Sequence, residues 1–161
     1  MKAAIYPGTF DPITNGHIDV VERALKIFDT IYILVAHNLD KKTMFTIAER
    51  IDMVKNIYNN SDNIIVRDTA GLIADFAKEI GAIAIIRGLR AISDFEYELQ
   101  MAHINRKLNN QIESIFFMPA LKYSFVSSTL VKDIILHGGN VESFVTKYVE
   151  NRLEEKYNVI R

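Results

Sequence analysis

No cysteine occurs among the 161 residues of this chain. A disulfide framework and a thiolate-bound metal are therefore excluded, and nothing in the sequence points to an oxidising compartment. The N-terminus lacks the run of roughly 7–15 apolar residues that a secretory signal needs. The longest apolar runs, residues 31–36 and 82–86, are too short to span a bilayer. We therefore expect a soluble, cytoplasmic protein.

The chain also lacks an excess of charge of either sign. Its 19 Lys and Arg residues stand against 20 Asp and Glu residues, which leaves a net charge of -1. Proteins that bind long nucleic acids usually carry a basic excess, so this partner class is not expected. Any phosphate group that this chain binds must be held by a few placed side chains rather than by a broad positive field.

No Pro/Gly-rich linker, internal repeat or low-complexity tract divides the sequence, so one domain over residues 1–161 is predicted. Short apolar runs rich in β-branched residues alternate with stretches of helical period. Strands are predicted at residues 3–6, 31–36, 64–67, 82–86 and 114–118. Helices are predicted at residues 16–28, 47–58, 72–80, 93–108, 128–136 and 142–157. Capping boxes at Thr46/Glu49 and Ser93/Glu96 mark two helix starts.

Strands that alternate with helices predict an α/β fold, a single doubly wound Rossmann-like domain. Its five-stranded parallel sheet would carry helices on both faces. Ligands of such sheets bind outside the carboxyl ends of the strands. The residues that follow each predicted strand are therefore the candidates for a functional site.

The loop after the first strand contains a glycine and hydroxyl side chains that suit phosphate. Gly8 permits a close backbone approach, Thr9 adds a hydroxyl, and Thr14 can cap the next helix. His17 follows in its first turn, where free N–H groups and the helix dipole favour an anion. A lone histidine usually packs or caps. The pattern Thr14-x-Gly16-His17 after a Gly-Thr turn instead favours a donor to a phosphoryl oxygen.

Three further loops carry candidate phosphate ligands. Arg87 and Arg90 flank a glycine directly after the fourth strand, which suits two phosphate groups. Taken alone, the pair is equally compatible with ion pairs to the nearby Asp94, Glu96 and Glu98. Lys41 and Lys42 follow the second strand, although surface lysine pairs are usually just solvated. A hydroxyl-rich segment starts the predicted helix at 128 and comprises Tyr123, Ser124, Phe125, Val126, Ser127, Ser128 and Thr129.

Taken together, these segments resemble bacterial phosphopantetheine adenylyltransferase, a family of the nucleotidyltransferase superfamily that is marked by a (Thr/His)-x-Gly-His motif. The resemblance covers essentially the whole chain. Thr14-x-Gly16-His17 marks only the superfamily. The block from Arg87 to Glu98 and the hydroxyl-rich segment resemble the phosphopantetheine adenylyltransferase family specifically. Many relatives have prolines around the two lysines, where this chain has Leu39 and Thr43.

The resemblance implies transfer of AMP from ATP to 4′-phosphopantetheine, with Mg²⁺, to give dephospho-coenzyme A and pyrophosphate. This reaction is the penultimate step of coenzyme A biosynthesis, and it proceeds by in-line attack without a covalent intermediate. By matching position, His17, Lys41 and Arg90 would be the catalytic residues. The ATP site would comprise Thr9, Phe10, His17, Gly88, Leu89, Arg90, Glu98, Tyr123, Ser124, Phe125, Val126, Ser127, Ser128 and Thr129. The phosphopantetheine site would comprise Thr9, Lys41, Leu72, Ile73, Arg87 and Asn105. No protein side chain is assigned to the metal, which would be bound mainly through the ATP phosphates.

The resemblance also implies a homohexamer built as a dimer of trimers, which the mass in solution tests, and feedback binding of coenzyme A. Two enzyme alternatives remain within the superfamily: a cytidylyltransferase and a nicotinamide-mononucleotide adenylyltransferase. A nucleotide sensor without turnover is a third alternative, whereas a fragment of a class I aminoacyl-tRNA synthetase is not expected, because the sequence has no Lys-Met-Ser-Lys-Ser element and no basic excess. Among the other histidines, His103 and His137 are interpreted as structural, and His37 is a weaker candidate for the site.

Overall fold

The computed structural model describes residues 1–37, 42–90 and 92–160. Strands and helices alternate along it as the sequence predicts. The strands are β1 (Ala3–Gly8), β2 (Thr30–Ala36), β3 (Ile64–Thr69), β4 (Ala84–Gly88) and β5 (Glu113–Phe117). The helices are α1 (Asn15–Ala24), α2 (Ile47–Ile57), α3 (Ile73–Ile80), α4 (Ile92–Leu108), α5 (Ser128–Leu136) and α6 (Lys147–Ile160), with a short 3-10 turn at Leu121–Tyr123.

All five strands lie parallel in one sheet of order β3-β2-β1-β4-β5. The chain runs outward from β1 to β3 and then returns to the other side of β1 to form β4. Strand β1 is therefore central, and the order of the strands reverses between β1 and β4. The predicted α/β fold is confirmed, and its ligand crevice is expected beyond the carboxyl ends of these two strands.

Two apolar cores cover the two faces of the sheet. The larger core includes Val20 and Val21 of α1, Val54 of α2, Val131 of α5 and Leu153 of α6. The smaller core packs α3 onto the opposite face, where Ala77 meets Ile5, Leu34 and Ile85. Because side chains on both faces of the central strands are buried, the strands read as continuous apolar runs.

Local capping chemistry sets several helix boundaries where they were predicted. The side chain of Thr14 caps α1, and Thr46 with Glu49 forms the predicted capping box of α2. Gly81 ends α3 with a left-handed φ of 66°. Gly138, with a φ of 75°, follows the end of α5. Each of these signals acts between residues at most a few positions apart, which explains why the sequence predicts them.

Several predicted boundaries are wrong, and three of them, all at helices, have a clear cause. Helix α1 ends at Ala24 rather than at residue 28, because Lys26 and Ile27 donate to carbonyls only three residues back. Helix α4 begins at Ile92, so Ser93 lies inside its first turn and does not precede it. Helix α6 begins at Lys147 rather than at residue 142, since the preceding residues form a turn that buries Val141 and Val145 in the core.

Helix α4 differs from the other helices in leaving much of its surface uncovered. Phe95, Tyr97, Leu99, Ile104 and Leu108 are exposed along it, whereas Glu98 is buried. None of the described helices is long and apolar enough to cross a membrane.

Candidate active site

A cavity of about 420 Å³ opens at the carboxyl ends of β1 and β4. Its wall combines the loop after β1, the first turn of α1, the end of β4 and the start of α5. Four cationic side chains line it, Lys42, Arg87, Arg90 and Lys132, against the two carboxylates of Asp11 and Glu98. The described wall therefore has a positive excess, which suits a polyphosphate ligand.

His17 lies at the third position of α1, and its ring forms part of the cavity wall. The backbone N–H of Thr14 donates to His17 Nδ1 over 3.0 Å. Since a backbone N–H can only donate, Nδ1 is the acceptor, and the proton of the neutral ring resides on Nε2. The Thr14 side chain in turn accepts from the backbone N–H of His17 at 3.4 Å. The cap of α1 therefore also sets the tautomer of the imidazole.

Burial, together with the positive charges of Arg90 and Arg87, lowers the pKa of His17 from 6.5 to about 4, and burial is the largest of these causes. The ring is therefore neutral at physiological pH. A neutral imidazole with its proton on Nε2 can donate a hydrogen bond to an oxygen that gains negative charge.

The aromatic ring of Phe10 supports His17 and makes Gly8 necessary. The Phe10 and His17 rings contact each other edge to face, with centroids 5.1 Å apart. Phe10 is 2% exposed and has a φ of 48°, which is uncommon for a bulky side chain. A Cβ on Gly8 would lie 2.9 Å from the Phe10 ring. Gly8 is required here because the ring folds back over the turn.

Arg87 and Glu98 form a two-pronged ion pair at the edge of the cavity. Arg87 Nε and Nη2 donate to the two Glu98 carboxylate oxygens, each at 2.6 Å. A third bond runs from Arg87 Nη1 to the Pro7 carbonyl at 3.0 Å. The Glu98 side chain is only 9% exposed, whereas that of Arg87 is 31% exposed toward solvent. The guanidinium is thus held rigidly while part of it still faces open space.

The start of α5 supplies a second helix N-terminus. Ser127 caps the helix by accepting from the Leu130 N–H at 3.0 Å. The Ser128 hydroxyl donates to the Pro12 carbonyl at 2.8 Å, which joins α5 to the loop that precedes α1. The first turns of α1 and α5 therefore line the same cavity. Free N–H groups and dipoles at two helix N-termini make this wall suitable for anions.

A second cavity, of about 310 Å³, adjoins the first and shares with it Pro7, Gly8, Thr9, Arg87 and Glu98. Its remaining wall is mostly apolar and lies between α3, α4 and the sheet. This wall comprises Ala36, Ile73, Ile85, Tyr97, Met101, Ala102, Asn105 and Ser114.

The cytidylyltransferase-like family matches residues 5–134, which include β1, the His17 turn, β4 and the first turns of α5. The chain belongs to this family. The family lies in the nucleotidyltransferase superfamily, so the coarser part of the expected identity is confirmed.

Solved structures show the same fold at low identity. The nicotinic acid mononucleotide adenylyltransferase of Plasmodium falciparum, complexed with NaAD, matches with a TM-score of 0.71 and 18% identity over 98% of this chain and 96% of that chain. A bifunctional NMN adenylyltransferase/ADP ribose pyrophosphatase of Francisella tularensis, complexed with AMP and a manganese ion, matches with a TM-score of 0.72 and 13% identity. That match covers 99% of this chain and 51% of the other.

Most of the predicted site residues of this cytidylyltransferase-like chain lie together. The first cavity is lined by Thr9, Phe10, His17, Arg87, Gly88, Arg90, Glu98, Tyr123, Val126, Ser127, Ser128 and Thr129. Ile73 and Asn105 line the second cavity. Lys41 lies outside the described residues, but its neighbour Lys42 lines the first cavity.

Among the described residues, Leu72, Leu89, Ser124 and Phe125 lie outside the walls of both cavities. Leu72 is 56% exposed at the start of α3, and Phe125 is 61% exposed. His37 is paired with Asp68 at 2.8 Å and also lies outside both walls. His137 donates from Nδ1 to the Asp133 carbonyl at 2.7 Å, in agreement with its structural interpretation.

Sequence reasoning missed Lys132, Tyr6 and Asp11 as lining residues of this cytidylyltransferase-like site. Lys132 follows Ser128 by four residues, so the helical period places both on one face of α5, and this signal could have found it.

Arg50 was missed as well. It is buried among the apolar residues Met53 and Val54 of α2, and a charge in an apolar stripe is the signal that could have found it.

The lowered pKa of His17 predicts a pH dependence of stability. Between about pH 6.5 and pH 4, the unfolded chain binds a proton at this ring that the folded protein does not bind. We therefore expect the free energy of unfolding to be unaffected by this ring above pH 6.5. The free energy of unfolding should then fall progressively as the pH decreases toward 4. Denaturant midpoints of the wild type and of His17→Gln, measured across this range, test it. Equal pH slopes in the two proteins would contradict it.

Proposed function

We propose that this chain is a phosphopantetheine adenylyltransferase. A phosphate oxygen of 4′-phosphopantetheine attacks the α-phosphorus of ATP and forms a new phosphorus–oxygen bond. The bond from the α-phosphorus to the β-phosphate bridging oxygen breaks, and the electron pair leaves with pyrophosphate. The product is dephospho-coenzyme A. No covalent bond to the protein is needed, so the work of the protein is positioning and charge stabilisation.

The observation that carries the proposal is the second cavity, which joins the positively charged first cavity at Thr9 and Arg87. An acceptor phosphate at this junction would place the rest of the acceptor in the second cavity. Ile73, Met101 and Ala102 make that cavity predominantly apolar, and Asn105 adds a polar contact. A long, mostly uncharged arm with a few amide groups suits such a wall.

In this proposal, the first cavity holds the triphosphate of ATP. The N-termini of α1 and α5 and Arg90 contact the phosphate oxygens, while His17 donates from Nε2 to an α-phosphate oxygen as charge accumulates. Arg87, held by Glu98, presents its remaining N–H groups to the acceptor phosphate at the junction.

Mg²⁺ would enter as part of the substrate MgATP and neutralise charge on the phosphates. The two carboxylates on the cavity wall are already engaged. Asp11 accepts from Lys132, and Glu98 accepts from Arg87. The described residues form no cluster of three or more His, Asp or Glu side chains that could hold a metal ion. This donor set fits a metal that is bound through the nucleotide.

Transfer of AMP to nicotinic acid mononucleotide is the second candidate, since the two solved structures named above carry adenylyltransferase names of that kind. Identities of 18% and 13% establish the fold alone. The carboxylate of nicotinic acid would also find few partners in the second cavity, where Arg87, already paired with Glu98, is the only cation among the described lining residues.

Pyrophosphate release from MgATP tests the proposal. 4′-Phosphopantetheine, nicotinic acid mononucleotide, nicotinamide mononucleotide and glycerol-3-phosphate are offered separately, with CTP as the control nucleotide. We expect release only with ATP and 4′-phosphopantetheine, and a product of the mass of dephospho-coenzyme A. Release with another acceptor would overturn the acceptor assignment. No release from folded protein that binds ATP would favour a nucleotide sensor.

A further inference from the structure

Asp11 is a buried carboxylate that joins three parts of the chain. Its residue is 3% exposed. Oδ1 accepts from the backbone N–H of Phe45 at 2.9 Å, and Oδ2 accepts from that of Met44 at 2.9 Å. Lys132 of α5 donates from Nζ to Oδ2 at 2.7 Å. The loop after β1, the segment before α2 and helix α5 therefore meet at one side chain.

Arg50 connects the loop after β1 to the end of β2. This residue of α2 is 3% exposed. Its Nη1 donates to the Thr9 carbonyl at 2.6 Å and to the Ala36 carbonyl at 2.9 Å. Ala36 is the last residue of β2, so Arg50 holds the end of this strand close to Thr9. Asp11 binds the chain again at Met44 and Phe45, shortly before α2.

Lys42, which lies two residues before Met44, lines the first cavity. Burying a carboxylate is costly unless it is paired with a cation and both its oxygens accept hydrogen bonds. A carboxylate at this position serves geometry, because its two oxygens together accept from two successive backbone N–H groups and from a lysine on another element. A misplacement of about 1 Å in an active site can cost roughly a hundredfold in rate.

We propose that Asp11 is a positioning residue of the active site. It holds the segment that directly follows Lys42, at Met44 and Phe45, and so sets the position of Lys42 on the wall of the first cavity. Asp11 acts through this segment, because both its oxygens are already engaged by the Met44 and Phe45 N–H groups and by Lys132. The inference rests on the proposed function for the identity of the acceptor, but the contacts that carry it do not depend on that identity.

The variant Asp11→Asn tests this role, because it keeps the size of the side chain and removes its charge. We expect kcat for AMP transfer to fall by roughly tenfold to a hundredfold, because Lys42 lines the cavity that holds the triphosphate in the proposed function. Lys42→Ala should add little further loss in the Asp11→Asn background, since a displaced lysine has already lost its contact. Full additivity of the two losses would contradict the proposal.

Glu49→Gln is the matched control. Glu49 also accepts from a backbone N–H, that of Thr46 at 2.7 Å, and from a lysine, Lys156 at 2.9 Å, but it lies outside both cavity walls. Its substitution should lower stability and leave the kinetic constants unchanged. If Asp11→Asn showed only the behaviour of Glu49→Gln, Asp11 would have a purely structural role.

Hydrogen exchange gives a readout that needs no substrate. The Met44 and Phe45 amides should exchange faster in Asp11→Asn than in the wild type, relative to core amides of β2. Unchanged protection of both amides would overturn the proposal whatever acceptor the enzyme uses. Should Asp11→Asn not fold, Arg50→Lys disrupts the hydrogen bonds to the Thr9 and Ala36 carbonyls and should lower kcat in the same way. Failure of the proposed function would instead appear in the wild type, as transfer to a different acceptor.

Discussion

His17→Ala is expected to lower the turnover rate of AMP transfer by about a hundredfold or more, while the Kd for ATP changes little. The reason is the tautomer: Nδ1 accepts from the Thr14 N–H, so Nε2 carries the only N–H proton of a side chain that lines the cavity. One preorganised donor to a developing negative charge contributes about this much to the rate. The two helix N-termini and the cationic side chains remain to bind ATP.

Single-turnover rates and ATP titrations of the wild type and His17→Ala provide the measurement. His137→Ala is the control, since that ring only donates to the Asp133 carbonyl at the end of α5. We expect His137→Ala to keep the turnover of the wild type. Near-normal turnover in folded His17→Ala would remove His17 from the mechanism.

Arg87→Ala is expected to weaken acceptor binding and to destabilise the fold. The substitution leaves Glu98, whose side chain is 9% exposed, without the guanidinium that occupies both its oxygens. An unpaired buried carboxylate costs about 3 kcal/mol of the free energy of unfolding. Loss of charge-assisted hydrogen bonds to the acceptor phosphate should raise the Kd for 4′-phosphopantetheine roughly tenfold to a hundredfold.

The double variant Arg87→Met with Glu98→Gln separates the two effects. It removes the pair together, so most of the lost stability should return, whereas affinity for the acceptor phosphate should not. Arg106→Ala is the control for stability, because its Glu113 partner is 59% exposed and such a surface pair contributes less than about 1 kcal/mol. If pantetheine with and without its phosphate lost affinity equally in Arg87→Ala, Arg87 would not be the phosphate ligand.

The order of elements and the place of His17 at the start of α1 could be predicted because their signals are local. Apolar runs predicted all five strands, and Thr14 predicted the cap that starts α1. Boundaries failed where the local signal was ambiguous. The amphipathic stretch from residue 142 reads as a helix, yet its first residues form a turn that buries Val141 and Val145.

The partners of the charged residues could not be predicted in the same way. Arg87 had two readings in the sequence, phosphate ligand or ion-pair partner, and three acidic residues lay near it. The structure pairs it with Glu98 and with the Pro7 carbonyl, 80 residues away. Asp11 meets Lys132 across 121 residues. No periodicity or spacing connects residues that far apart.

The sequence by itself determined the α/β alternation, the caps of α1 and α2, and a phosphate-suited turn ending in His17, because each depends on residues within a few positions of one another. Only the tertiary structure decided the strand order, the meeting of two helix N-termini at one cavity, and the ties made by Asp11 and Arg50. These features arise when parallel strands bring their carboxyl ends to one edge of the sheet. Distant loops then become neighbours, and buried charges find partners that no local pattern specifies.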